Sequence, residues 1–142
     1  MSVSSLTLVV DDDEIARFLT CRLLQQAQVP GPVLEAGNGQ QALALLQELC
    51  GGAQPPRPVL VLVDINMPVM NGLEFLRHLQ ALPPSHRELM TTVVVSSSAT
   101  AADQQRAQAL ASAYVTKPLT QPVLRQLLRR HLASGELVGA GE

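Results

Sequence analysis

Val59-Leu60-Val61-Leu62-Val63-Asp64 is the stretch that decides the fold. Its apolar residues are mostly β-branched, show no polar alternation and are too few for a helix. Such a run fits a strand covered on both faces, as strands of a parallel sheet are. An acid ends it. Upstream, Leu6-Thr7-Leu8-Val9-Val10 reads the same way and runs into Asp11-Asp12-Asp13-Glu14. Val33–Ala36, Leu89–Val95 and Ala113–Thr116 supply three more short strands.

Helical periodicity fills the intervals. Ile15–Gln28 carries Ile15, Phe18, Leu19 and Leu23 at helical spacing, and Pro30-Gly31-Pro32 breaks it. Asn38 can cap a helix to about Cys50, with Ala42, Leu45, Leu46 and Leu49 on one face. Residues 51–58 are a loop by composition. Leu73, Leu76 and Leu79 mark a third helix that Pro83-Pro84 stops. A weaker, Ala- and Gln-rich helix covers Ala101–Leu110, and Thr120–Leu132 forms the last, tolerating Pro122 in its first turn. Five strands alternating with five helices predict an α/β fold, a doubly wound parallel sheet with helices on both faces and right-handed crossovers.

The chain has 142 residues, enough for one domain, with 46% hydrophobic and 15% charged residues, which excludes intrinsic disorder. Aromatics are only 2%, which argues against stacking platforms for single-stranded nucleic acid. Ten basic and twelve acidic residues leave a net charge of -2, so there is no bulk electrostatic case for binding DNA or RNA. Cys21 and Cys50 form no Cys-x-x-Cys pair and are expected to be buried free thiols. The first six residues lack a basic and an apolar signal region, and no apolar run approaches the roughly 18 residues of a membrane span. A cytoplasmic protein is expected, with one domain over residues 1–132 and a tail, not an effector domain, over 133–142.

In parallel sheets of this kind, ligands bind beyond the carboxyl ends of the strands. Asp11, Asp12 and Asp13 follow the first strand, Asp64 the third, Ser96 the fourth and Lys117 the fifth. Crowded carboxylates repel one another, and a divalent cation removes that repulsion. Oxygen donors without nearby His or Cys favour magnesium over zinc. A lysine adds positive charge for a phosphoryl group and a serine adds a hydrogen-bond donor, a layout suited to phosphoryl transfer. Each piece alone has a plainer reading: a helix start rich in acid, a cap, turn residues. Their coincidence at the ends of separate strands carries the functional one. The sequence has no Gly-x-Gly-x-x-Gly, P-loop or Gly-x-Ser-x-Gly signature. His78, His86 and His131 lie away from this edge and read as surface residues.

Four segments carry a family resemblance: Leu8-Val9-Val10-Asp11-Asp12-Asp13-Glu14, Val63-Asp64-Ile65-Asn66-Met67-Pro68-Val69-Met70-Asn71-Gly72, Val94-Val95-Ser96-Ser97 and Tyr114-Val115-Thr116-Lys117-Pro118-Leu119-Thr120. Over residues 5–132 the chain resembles the receiver domain of two-component response regulators, of the stand-alone, chemotaxis type. The resemblance implies a flavodoxin-like sheet of order 2-1-3-4-5. It implies Asp64 as phosphoacceptor, Asp12 as a direct Mg2+ ligand, Asp11 acting on the metal mostly through water, and Asn66 giving its backbone carbonyl. Ser96 matches the switch hydroxyl, Lys117 the phosphate-contacting lysine and Tyr114 the switch aromatic. Pro118 would follow a cis peptide bond. A sensor histidine kinase or histidine phosphotransfer protein would be the donor. A downstream protein would read the face made by the fourth helix of that fold, the fifth strand and the last helix. The protein would thus be a self-phosphorylating substrate rather than a turnover enzyme.

Two departures stand out. Asn71 replaces a frequent Asp. Leu110-Ala111-Ser112-Ala113 lacks the usual glycine, so a positive φ there would be strained. Two other classes of protein fit the sequence less well. A haloacid-dehalogenase-type hydrolase needs a second Asp two residues after Asp64, where Asn66 stands. A phosphorylation-independent receiver-fold adaptor would be expected to lack an acid, the acceptor or the lysine, and all are present.

Overall fold

The computed structural model describes residues 5–53, 55–97 and 100–131. The expected tail at 133–142 lies outside the described residues. The strands are β1 (Leu6–Val10), β2 (Val33–Ala36), β3 (Val59–Val63), β4 (Met90–Ser96) and β5 (Ala113–Thr116). All four pairings are parallel, in the order β2-β1-β3-β4-β5. The helices are α1 (Glu14–Gln26), α2 (Gly39–Gly51), α3 (Gly72–Leu79), α4 (Pro84–Arg87), α5 (Ala101–Leu110) and α6 (Gln121–His131).

The apolar run in β3 is explained by two cores. Val59, Val61 and Val63 face the side of α2, α3 and α5, with Leu8, Val10, Leu46, Phe75 and Ala107. Leu60 and Leu62 face the side of α1 and α6, with Val9, Leu24, Leu124 and Leu127. No face of the central strands meets water, so no polar alternation is possible. Each fully buried Val or Leu side chain stabilises the fold by about 1.5–3 kcal/mol.

Two expectations need correction. Six helices are present among the described residues, not five: Pro83-Pro84 ends the third helix but also starts α4, a single turn with no buried residue. Proline suits a first helical turn because its missing N–H is not needed there. Cys21 and Cys50 are half-buried rather than buried, because each sits at the margin of its helix's packed face. The apolar stripe of α1 points mainly outward. Ile15, Phe18 and Leu19 are 71%, 61% and 54% exposed, Leu23 is half-buried, and Leu24 is the only fully buried residue of the helix. Among the described residues no helix is long and apolar enough to cross a membrane.

Candidate functional site

The carboxyl ends of β1, β3 and β5 bring Asp11, Asp12, Asp64 and Lys117 to one edge of the sheet. Register explains the meeting: Val10 pairs with Val63, so the residues that follow them, Asp11 and Asp64, leave the sheet side by side. One carboxylate oxygen from each of Asp11, Asp12 and Asp64 lies within 4.8 Å of the others. Asp11 and Asp64 are 6% and 9% exposed, while Asp12 is exposed. Lys117 reaches between the two buried acids, with Nζ 2.8 Å from Asp11 Oδ2 and 3.3 Å from Asp64 Oδ2.

One ammonium group therefore serves two buried carboxylates. Burial raises the Asp64 pKa above the ordinary carboxylate value. Lys117 opposes that rise, and Asp11 adds to it. Burial works against the Lys117 charge, but the two carboxylates outweigh it and hold its pKa above that of an ordinary lysine. The donor set is all oxygen, and its carboxylates lie close enough to share an ion, which fits a hard cation such as Mg2+.

The acid run divides its work. Asp13 is the N-cap of α1, accepting from the N–H groups of Ile15 and Ala16 at 2.9 and 3.3 Å. It thereby satisfies two donors at the helix start. Asp11 Oδ1 accepts from the Asp13 N–H at 3.0 Å. Asn66 is exposed, and its N–H donates to Asp64 Oδ1 at 3.4 Å. Ser96 is fully buried at the end of β4, and its carbonyl accepts from the Lys117 N–H at 2.9 Å. The Lys117–Pro118 bond is cis. Tyr114 is half-buried, opposite Val94 in the sheet and packed against the core on the α5 side. The segment before it needs no left-handed residue: Ala111 is extended, with φ −112°. The expected strain there is absent because Ser112 is instead joined to Thr92 through their backbone and hydroxyl groups.

Strain lies in the loop after Asp64 instead. Val69 has φ +69°, and the Met70 N–H donates to the Pro68 carbonyl at 2.8 Å, closing a three-residue turn around it. A β-branched residue is rare in this conformation, which costs on the order of 1–3 kcal/mol. The Gly39 N–H accounts for the Met70 carbonyl at 3.0 Å, tying the loop to α2. Nothing in the alternation of strands and helices signals this turn.

The sequence model of the response regulator receiver domain matches residues 7–129. A protein-glutamate methylesterase/protein-glutamine glutaminase of Agrobacterium fabrum is 37% identical over 97 residues, which are 68% of this chain. The chain spans only 24% of that curated relative's length. A response regulator receiver protein from Dyadobacter fermentans is 30% identical, with a TM-score of 0.76 over 89% of this chain and 96% of its own. A two-component response regulator from Cytophaga hutchinsonii is 27% identical, also with a TM-score of 0.76, over 92% and 97%.

Proposed function

The chain belongs to the response regulator receiver domain family, and from that premise we propose that it takes a phosphoryl group onto Asp64 in a Mg2+-dependent phosphorelay. The donor is a phosphohistidine on a sensor histidine kinase or a histidine phosphotransfer protein, and the setting is the cytoplasm. The observation that carries this reading is the Asp64 carboxylate itself, nearly buried between an acid pair and the Lys117 ammonium group. Asp12, Asp64 and the Asn66 carbonyl would hold the ion, with Asp11 mostly acting through water. When bound, the ion supplies positive charge to the phosphoryl oxygens. An Asp64 oxygen attacks phosphorus in line, the phosphorus–nitrogen bond breaks, and the electron pair leaves on the imidazole. Lys117 faces the same oxygens and offsets their charge, which is where such catalysis mostly arises. Water later hydrolyses the acyl phosphate, restoring the carboxylate and releasing inorganic phosphate. Acetyl phosphate with Mg2+ tests the reading: a stable aspartyl phosphate supports it, turnover points to a hydrolase, and no reaction points to a binding-only adaptor.

The outward stripe of α1 supports a protein donor. Ile15, Phe18 and Leu19 follow directly from the Asp13 cap, so a donor reaching Asp64 meets them. Exposed apolar residues grouped on one helix face suit an apolar surface on a partner. Phe18→Ser is expected to slow transfer from a phosphohistidine protein and to leave acetyl phosphate uptake unchanged. Equal rates from both donors would remove α1 from the docking face.

Ser96 and Tyr114 are read as the outward path. New phosphoryl oxygens on Asp64 would draw the Ser96 hydroxyl, and space opened beside β5 would let Tyr114 turn inward. The face of α5, β5 and α6 would then present a changed surface to a downstream protein. Such coupling needs two conformers close in free energy, with phosphorylation favouring one. NMR spectra with beryllofluoride and Mg2+ should show shifts around Tyr114 and α6 as well as Asp64. Shifts confined to the surroundings of Asp64 would end the coupling and leave the acceptor assignment standing.

A further inference from the structure

Asp11 is held on every side. Its N–H donates to the Ala36 carbonyl at 3.1 Å. Its two carboxylate oxygens accept from the Asp13 N–H and from Lys117. The remaining constraint comes from one turn into α1. Arg17 Nη1 donates to the Asp11 carbonyl at 2.7 Å, and Nε of the same guanidinium donates to Glu35 Oε1 at 3.3 Å. The Arg17 side chain is 18% exposed, so most of it is fixed against the protein. Its placement follows from the cap: the Arg17 N–H donates to the Asp13 carbonyl at 2.9 Å, the first bond of the helix.

We propose that Arg17 is a positioning residue for the metal site, fixing the direction of Asp12 through the Asp11–Asp12 peptide, while Glu35 keeps the guanidinium charge from opposing the ion. This rests on the reading of that site given above. A peptide group is planar, so a pinned Asp11 carbonyl also sets the Asp12 N–H and the bond to its Cα. Asp12 is exposed and gains no orientation from burial. The planar fork of arginine can serve a carbonyl and a carboxylate at once, which a lysine ammonium on a flexible stem does poorly. An unpaired guanidinium bonded to the acid run would repel a cation. The ion pair with Glu35 offsets that repulsion.

Mg2+ titration followed by NMR shifts, with thermal unfolding of the same samples, tests this. Wild type and Asp12→Ala set the scale. If wild type fails to bind, or Asp12→Ala binds as well as wild type, the reading of the metal site itself fails. With that scale in hand, the decisive variant is Arg17→Met combined with Glu35→Gln, which removes the fork and leaves the local net charge unchanged. It is expected to bind Mg2+ about tenfold more weakly, the low end for groups that orient metal ligands, and the deficit should persist at high salt. Glu35→Gln alone should weaken binding less, and its effect should fade as salt screens the guanidinium. Wild-type affinity in the double variant, whatever its melting temperature, would make Arg17 merely structural and overturn the proposal. Should that variant fail to fold, Arg17→Lys keeps the charge pairing; it is expected to bind more weakly than wild type, and full affinity there overturns the proposal equally.

Discussion

Asp64→Asn is expected to take up no phosphate at all. The amide is nearly isosteric with the carboxylate but offers no anionic oxygen to attack phosphorus. With acetyl phosphate and Mg2+, intact mass should show one hydroxylamine-labile phosphate on wild type and none on the variant. A labile phosphate on the variant would move the acceptor to another carboxylate. In wild type, uptake should fall as the pH drops through a pKa lying above the ordinary aspartate value, because burial favours the protonated form. Stability should move the other way. The Asp64 carboxylate is desolvated only in the folded chain. Its raised folded pKa is therefore a cost to stability, fully present above that pKa and gone below the unfolded value. Asn carries no such cost. The variant should resist denaturant better than wild type at neutral pH, with the difference closing as the pH falls.

The sheet was legible because its central strands have no wet face. Val59–Val63 could hardly be anything but a strand packed between two layers, and the acids that end β1 and β3 locate the site edge. Parallel register then makes neighbours of Asp11 and Asp64. The 2-1-3-4-5 order came from family resemblance, since local patterns carry no information about which strands pair.

What the sequence left open has a common cause. Helical spacing reveals that α1 has a stripe at Ile15, Phe18 and Leu19, but the same spacing describes a core face and an outward one. By pattern Asp13 is one more acid in a run, and only backbone geometry shows that it caps the helix. The Lys117–Asp11 bond joins residues far apart in the chain, and no local signal ranks Asp11 above Asp64 as the closer partner. Arg17 is an ordinary helix residue by pattern, and its reach back to the Asp11 carbonyl exists only once α1 is built. The left-handed Val69 contradicts its own propensity, which is why a reading from propensity passes over it.

Gly72→Ala should be strongly damaging, to the fold and to the phosphoacceptor together. The motif places a glycine at the start of α3, and the reason is space rather than a left-handed backbone, since Gly31 is the only positive-φ glycine among the described residues. A Cβ on Gly72 would stand 2.2 Å from the Asp64 carbonyl oxygen and 2.9 Å from the Asp64 carbonyl carbon and Ile65 Cα. All three are backbone atoms, so no side chain can swing aside. The Gly72 N–H also donates to the Ile65 carbonyl at 2.9 Å, which locks α3 against the end of β3. Relieving the clash must push α3 away or move Asp64. Overpacking of this kind costs about 3 kcal/mol, the upper end of the usual range, because the backbone must yield. Folded molecules should phosphorylate slowly as well, since a displacement of about 1 Å at a reacting group can cost on the order of a hundredfold in rate. Gly51→Ala is the matched control: a Cβ there meets nothing within 4 Å, at the last residue of α2. It should be neutral or slightly stabilising, because alanine favours helix. Urea unfolding of both variants, with acetyl phosphate uptake measured on each, separates crowding from lost flexibility. Equal stability of the two would mean that the contact between α3 and the phosphoacceptor backbone is looser than the 2.2 Å approach requires.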